Sequence, residues 1–197
     1  DQAAIAKKQE IDLIEDATIE EKEVAKAKVD KIVTEAKNNI HQATTNSSVD
    51  DAQNEGITAI NAVIPEVVKK SDARDTIDEV ARIKKAAIDQ TPDATVEEKE
   101  AAIAKIDQEV TKAKEQIHQA LKNENVDTAK TNGTNFINAI QPEITKKMKA
   151  RETIDEVARA KKEAIDRTLD ATTEEKEAAK AKVDQAVTEA KAHINEA

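Results

Sequence analysis

Asp93–Leu121 reads DATVEEKEAAIAKIDQEVTKAKEQIHQAL, with apolar side chains at Ala102, Ile106, Val110, Ala113, Ile117 and Ala120. Their spacing of three and four residues places all six on one stripe of an α-helix. Ile and Val favour strands by propensity. No stretch of the chain, however, alternates apolar with polar residues for the length that a half-buried strand needs, so the helical period decides. The start of this helix is also marked chemically. Thr95 and Glu98 form a Thr-x-x-Glu capping box, in which the Thr oxygen accepts an orphan backbone N–H and the Glu reaches back, while Glu97 adds charge favourable to the dipole. Upstream, Thr91-Pro92-Asp93 forces the backbone out of the α region before the proline, which ends the preceding helix near Gln90.

The same text recurs. DATIEEK at Asp16–Lys22 returns as DATVEEK at Asp93–Lys99 and DATTEEK at Asp170–Lys176, 77 residues apart each time (93 − 16 and 170 − 93). The boxes Thr18/Glu21 and Thr172/Glu175 therefore mark two further helix starts. A shift of 77 also pairs Gly56 with Gly133, Pro65 with Pro142, and His41 with His118. From Asp93–Ile117 to Asp170–Ile194, 18 of 25 residues are identical, and from Pro65–Thr91 to Pro142–Thr168, 19 of 27. Identity this high at a constant offset is the mark of a tandem array. The third stripe is Ala179, Val183, Val187, Ala190, Ile194 and Ala197. Asp1 aligns with Asp78, so the sequence starts inside a unit.

Each unit reads as three helices, about Pro65–Gln90, Val96–Leu121 and Val126–Gln141, the last started by Asn125 and its counterpart by Ser48 as N-caps. One amphipathic helix cannot bury its stripe alone, so the expected fold class is all-α: tandem three-helix bundles on a 77-residue repeat, arranged as an elongated rod. Residues 1–64 form a partial repeat (the end of helix 1, then helices 2 and 3), 65–141 a complete one, and 142–197 helices 1 and 2 of the next. The expected core takes Ile77, Val80 and Ile88 from helix 1, Ala102, Ile106, Val110, Ala113 and Ile117 from helix 2, and Ile137 and Ile140 from helix 3. Ile103 aligns with Lys26 and Lys180, so the equivalent site in the other copies is expected to be solvated. Gly56 and Gly133 each follow an alanine by one turn (Ala52, Ala129) and are expected to admit close helix packing. Phe136 and Met148, aligned with Ala59 and Ser71, read as local core plugs. Pro65 and Pro142 mark the inter-repeat junctions, where either one helix hands over directly to the next or a single helix is kinked.

Composition narrows the chemistry. The 197 residues include 41 acidic and 31 basic side chains, a net charge of −10, a single aromatic, two glycines and no cysteine. Disulfides and thiol chemistry are excluded, and the sign-interleaved, acidic surface opposes nucleic acid and favours a monomer. No apolar run is long enough for a membrane span, and Asp1-Gln2-Ala3-Ala4 is not the start of a secretory leader. No phosphate-binding loop or nucleophile elbow occurs, and no cofactor is expected. His41, His118 and His193 lack partners at metal-ligand spacing and read as solvated helix-end residues. Asp50-Asp51 and Glu97-Glu98 fall in first turns, where the helix dipole accounts for them. Lys84 and Lys161 border the apolar stripe, and their stems are expected to cover it.

DATxEEK, AKxD, IxxA, the glycine of helix 3, and Pro-Glu leading into AR-TIDEVAR-KK-AID together resemble one family over essentially the whole chain. It is the repeat catalogued as domain of unknown function fifteen forty-two, which recurs in large staphylococcal and other Gram-positive cell-wall-anchored proteins of matrix-binding and biofilm-associated type. The resemblance implies an extracellular, wall-attached setting, a repetitive helical stalk and no catalytic residues. The expected function is a non-enzymatic spacer whose partners are the neighbouring repeats. The alternative is an adhesion module whose helical face binds a host matrix or serum protein or mediates cell–cell contact.

Overall fold

The computed structural model describes residues 1–196, so Ala197 of the third stripe lies outside the described residues. Among those residues there are eight α-helices and no strand: α1 (Gln2–Asp12), α2 (Ile19–Gln42), α3 (Asn46–Asn61), α4 (Lys69–Asp89), α5 (Val96–Gln119), α6 (Asn123–Ala139), α7 (Lys146–Asp166) and α8 (Thr173–Glu196). The period is kept in the lengths: α2, α5 and α8 each have 24 residues, and α4 and α7 each have 21. Two compact units divide the chain. One contains Asp1–Arg82 with Gln108–Ala139, the other Ile83–Asp107 with the chain from Ile140 onward.

In the first unit α1, α2 and α3 pack on one another around Ala4, Ile11, Ala25, Val29, Ile60 and Val63. The α4 segment, the end of α5, and α6 bury Ile77, Ala113, Ile117, Val126, Ala129 and Ile137. Val80 and Val110 are only half-buried at the margin of the stripe. In the second unit Ile88, Ala102 and Ile106 are buried and Ile140 is half-buried. There α7 packs on α8, yet neither helix has a buried residue. Each fully buried Ile or Val contributes about 1.5–3 kcal/mol. Exposed ion pairs such as Lys37–Asp1, Lys114–Asp78 and Lys191–Asp155 contribute about 0–1 kcal/mol each, so the apolar seams hold the bundles while the pairs fix register.

Both glycines sit at close approaches. A Cβ on Gly56 would lie 2.6 Å from Ala36 Cβ, and one on Gly133 would lie 2.6 Å from Ala113 Cβ and 2.8 Å from Ile77 Cδ1. Helix ends are closed by repeated contacts. Lys22, Lys99 and Lys176 donate from Nζ to the terminal carbonyls of Asp12, Asp89 and Asp166 at 2.9, 2.8 and 3.1 Å, neutralising the negative end of each preceding helix.

Four expectations are corrected. The N-cap of α3 is Thr45, not Ser48: Ser48 N–H donates to Thr45 Oγ1 at 3.2 Å and Thr45 N–H to Ser48 Oγ at 3.1 Å, a capping box one turn earlier. Asn125 is likewise inside the first turn of α6, which begins at Asn123. Pro65 and Pro142 neither open a helix nor kink one. They lie in non-helical connectors, residues 63–68 and 140–144, because each proline disfavours the α region at Ile64 or Gln141. Burial in the first connector alternates, with Val63 and Pro65 buried and Ile64 and Glu66 exposed, as an extended chain requires. Phe136 and Met148 are not core plugs. Phe136 is 56% exposed, off the buried stripe of α6, and carries Lys112 Nζ 5.5 Å from its ring centroid, and Met148 on α7 is exposed as well. Lys26 and Lys180, expected to be solvated, are half-buried, as is Ile103 at the equivalent position.

Candidate functional site at the repeat junction

The extended connector delivers the N-terminus of α4 to the N-terminus of α2, and a single carboxylate serves both. Glu21 Oε2 accepts the Thr18 N–H at 2.8 Å, completing the α2 capping box. Its Oε1 accepts the N–H groups of Val68 and Lys69, both at 2.9 Å. The arrangement recurs one period later, where Glu98 Oε2 accepts from Thr95 N–H at 3.0 Å and Oε1 accepts from Thr145 and Lys146 N–H at 2.8 and 3.0 Å. A helix start is the positive end of a dipole with unpaired donors, so one carboxylate facing two of them is held ionised. Hydrogen bonds from Thr95, Thr145 and Lys146 pull Glu98 down to about 2. For Glu21 burial pushes the other way, but the backbone donors of Thr18, Lys69 and Val68 outweigh it and keep the carboxyl below its ordinary range. The third box, Thr172 and Glu175, shows its reciprocal bonds of 2.8 and 3.2 Å at the start of α8.

Around Glu21 the first junction is elaborated. Ile19 N–H donates to Leu121 O at 2.8 Å, and Glu20 Oε2 accepts the Asn123 N–H at 3.0 Å, so the start of α2 closes the α5–α6 turn. The buried Thr18 hydroxyl donates to Asn123 Oδ1 at 2.8 Å. Lys70 is 1% exposed, and its ammonium donates to His118 O at 2.7 Å and Glu15 O at 3.2 Å. Burial lowers its pKa, with the Asp16 charge opposing. Arg74 reaches Asp16 at 2.8 Å and holds that carboxyl below its usual range, and His118 Nδ1 lies 3.4 Å from the same Asp16. The second junction repeats this more openly: Arg151 donates to Asp93 at 2.6 Å and to Asn195 Oδ1, and Lys147 Nζ is 3.4 Å from Asn195 O.

Sequence reasoning identified Thr18, Glu21, Thr95 and Glu98 as caps of their own helices and Pro65 and Pro142 as junction markers. It missed the second helix that each glutamate serves, and it missed Lys70, Asp16, Asn123 and the partnership of His118. Lys70 carried a signal: it precedes Ala73 and Ile77 by three and seven residues, on the buried stripe, and Lys147 stands likewise before Ala150 and Ile154. Lys84 is half-buried, while Lys161 is exposed.

The arrangement is a clasp made of charge-assisted caps, with no nucleophile–base pair in it. Among the described residues no group of three or more His, Asp or Glu side chains is placed to hold a metal ion, and no helix is long and apolar enough to cross a membrane. The family described as Domain of Unknown Function (DUF1542) matches residues 1–68, 69–145 and 146–197. The chain belongs to the DUF1542 family. These DUF1542 segments begin at or next to the first residues of α4 and α7, the helices that Glu21 and Glu98 cap. Similar proteins include "Extracellular matrix-binding protein ebh" of Staphylococcus aureus strain MW2, 29% identical over 92% of this chain and 2% of that protein. "Extracellular matrix-binding protein EbhA" of strain Mu3 is 29% identical over 92% of the chain and 3% of its own length. The EbhA protein of strain Newman is 28% identical, with 5% of its length covered. The chain thus spans a few hundredths of the relatives it matches. No solved structure is similar to it at a significant level.

Proposed function

We propose that these DUF1542 repeats form a non-enzymatic stalk in a bacterial surface protein, extracellular and attached to the cell wall, which holds a functional domain away from the surface. The observation that carries this reading is the double cap. Glu21 and Glu98 each tie the start of helix 2 in one repeat to the start of helix 1 in the next, replacing a flexible linker with fixed hydrogen bonds. A spacer works through length and resistance to bending, and charge-assisted bonds at every junction supply the second. Net charge and interleaved signs keep such a chain monomeric. A Gly-Ser insertion after Ile64 tests this. Spin labels on either side of the junction should report a narrow distance distribution in the parent chain and a broad one in the insertion variant. Equally broad distributions in both would reduce the repeats to beads on loose joints.

A second reading rests on the matrix binding for which the relatives are named and on exposed Phe136, an aromatic on the open face of α6 with Lys112 above it. In that reading the repeats bind a component of the extracellular matrix directly, and they contribute to cell–cell contact in biofilms. Retention of the chain on immobilised matrix extract, abolished by Phe136→Ala with the fold intact, would favour it over the stalk.

A further inference from the structure

The chain has one Phe and no Tyr or Trp, and that aromatic stands exposed on α6. Thr128, Asn132 and Phe136 recur every fourth residue and are all exposed, so they form one stripe with steps of about 6 Å along the helix. One period earlier the same stripe on α3 is Asp51, Glu55 and Ala59, also exposed. All three differences run in one direction: two charges are lost and a ring is gained. In a chain whose residues are 37% charged, Thr131–Pro142 contains no Asp, Glu, Lys or Arg. Beside the stripe lies a shallow, open depression of about 480 Å³, lined by Glu124, Asp127, Thr128, Thr131 and Asn132. Lys112 Nζ stands 5.5 Å from the ring centroid at the Phe136 end.

Such a surface selects its ligand by chemistry. A protein hot spot seals an aromatic anchor inside a ring of contacts that exclude water. The exposed helix neighbours of Phe136 are Asn132, Asn135 and Ala139, two of them amides that keep water. A sugar ring carries polarised C–H groups on its face and hydroxyls at its edge. The C–H groups pack on the negative face of an aromatic ring, and side-chain amides both donate to the hydroxyls and accept from them. The exposed Glu124 carboxylate can accept from two adjacent hydroxyls, and it repels an anionic chain, as does the net charge of −10. We propose that the Thr128, Asn132 and Phe136 stripe of α6 binds a neutral glycan, an uncharged chain of hexose or N-acetylhexosamine units stacked on Phe136 and hydrogen-bonded by Asn132. Lys112 donates to an oxygen of the stacked sugar. The proposal rests on that part of the second reading above which puts binding on the Phe136 face, and it names the class of ligand.

The test titrates two neutral hexasaccharides, chitohexaose and cellohexaose, into the full chain and follows the Phe136 ring protons by NMR, which no other Phe, Tyr or Trp obscures. Saturable shifts of that ring and of the Asn132 side-chain amide are expected with at least one of the two sugars. Phe136→Ala should weaken binding about tenfold, Asn132→Leu should weaken it as well, and Phe136→Trp should retain it. The double variant Asn132→Glu with Phe136→Ala copies the α3 residues onto α6, a pattern that α3 shows to be compatible with the helix, and it should bind neither sugar. No saturable shift with either hexasaccharide, a shift with heparin alone, or equal affinity of Phe136→Ala would overturn the proposal. Competition separates it from the broader reading. Retention on immobilised matrix extract that depends on Phe136 should be displaced by the hexasaccharide that binds. Phe136-dependent retention that neither sugar displaces would keep direct binding and overturn the glycan. Sugar binding without Phe136-dependent retention would support the glycan site and remove the matrix extract as its source.

Discussion

Glu98, in the first turn of α5, accepts a 3.0 Å hydrogen bond from the backbone N–H of Lys146, the first residue of α7 and 48 positions downstream. The same oxygen accepts from Thr145, so a charged group belonging to one repeat closes the helix start of the next. The carboxyl sits at about 2, below the ordinary 4.5, chiefly because of the backbone donors of Thr95, Thr145 and Lys146. A depressed acid contributes stability that is fully present above its unfolded value and is lost as pH falls through the folded one. Amides at the start of α7 should therefore exchange at a constant opening equilibrium above pH 5 and open progressively from about 4.5 down to about 2. Glu98→Ala should remove that pH dependence, and Glu97→Ala should leave it. A profile unchanged by Glu98→Ala would show that the clasp does not hold α7.

In the first junction the equivalent change is expected to cost more than an ordinary cap. Glu21→Ala strips acceptors from two helix starts, and at about 1 kcal/mol for each cap the loss should approach about 2 kcal/mol in denaturant melts. Glu23→Ala, exposed on the same helix, serves as the control and should change stability by less than about 0.5 kcal/mol.

Lys70→Met keeps the stem and removes the ammonium that closes the carbonyls of His118 and Glu15. Hydrogen bonds to charged groups contribute about 1.5–3 kcal/mol, and two backbone carbonyls would lose such a donor. The expected loss is in that range, whereas Lys147→Met, at a half-buried site with a 3.4 Å contact, should cost clearly less. Equal effects would place the stabilisation in the stem and not in the charge.

The glycines separate propensity from packing. Alanine gains about 1 kcal/mol of helix propensity over glycine, against about 1–3 kcal/mol for overpacking. Gly133→Ala meets Ala113 and Ile77 together and should destabilise, while Gly56→Ala meets Ala36 alone and should come closer to neutral. The reverse order in thermal melts would contradict the close approach at Gly133.

At the edge of the core, Ile106→Ala should cost about 2–4 kcal/mol through lost burial and a cavity, and Ile103→Ala less than about 1.5. Ile103→Lys should be neutral or gain up to about 1 kcal/mol. The lysines at that position in the flanking copies, Lys26 and Lys180, pair with Asp12 and Asp166, and Asp89 waits at the matching place.

The helices and their period were legible because each stripe and each capping box is written within one turn or one helix: Val96–Gln119 is bounded as Thr95 and Glu98 imply. The α3 start is not at Ser48 because Thr45-x-x-Ser48 is itself a capping box one turn earlier. Phe136 could have been read correctly, since Gly133 and Ile137 already define the buried stripe of α6 and Phe136 falls one residue off it. The clasp could not be read locally. The donors to Glu21 lie 47 and 48 residues away, and only the extended path through Pro65 brings them within reach.

Two contacts of the second junction join residues at separations already used in the first: 58 for Arg74–Asp16 and Arg151–Asp93, 48 for Lys69–Glu21 and Lys146–Glu98. Both are shorter than the 77-residue period. In the gene, then, an in-frame loss or duplication of one period, cut at any phase, rejoins a chain in which each glutamate still finds its amides and each aspartate its arginine. Such a protein can change its number of repeats by recombination alone, with no compensating substitution at the seam.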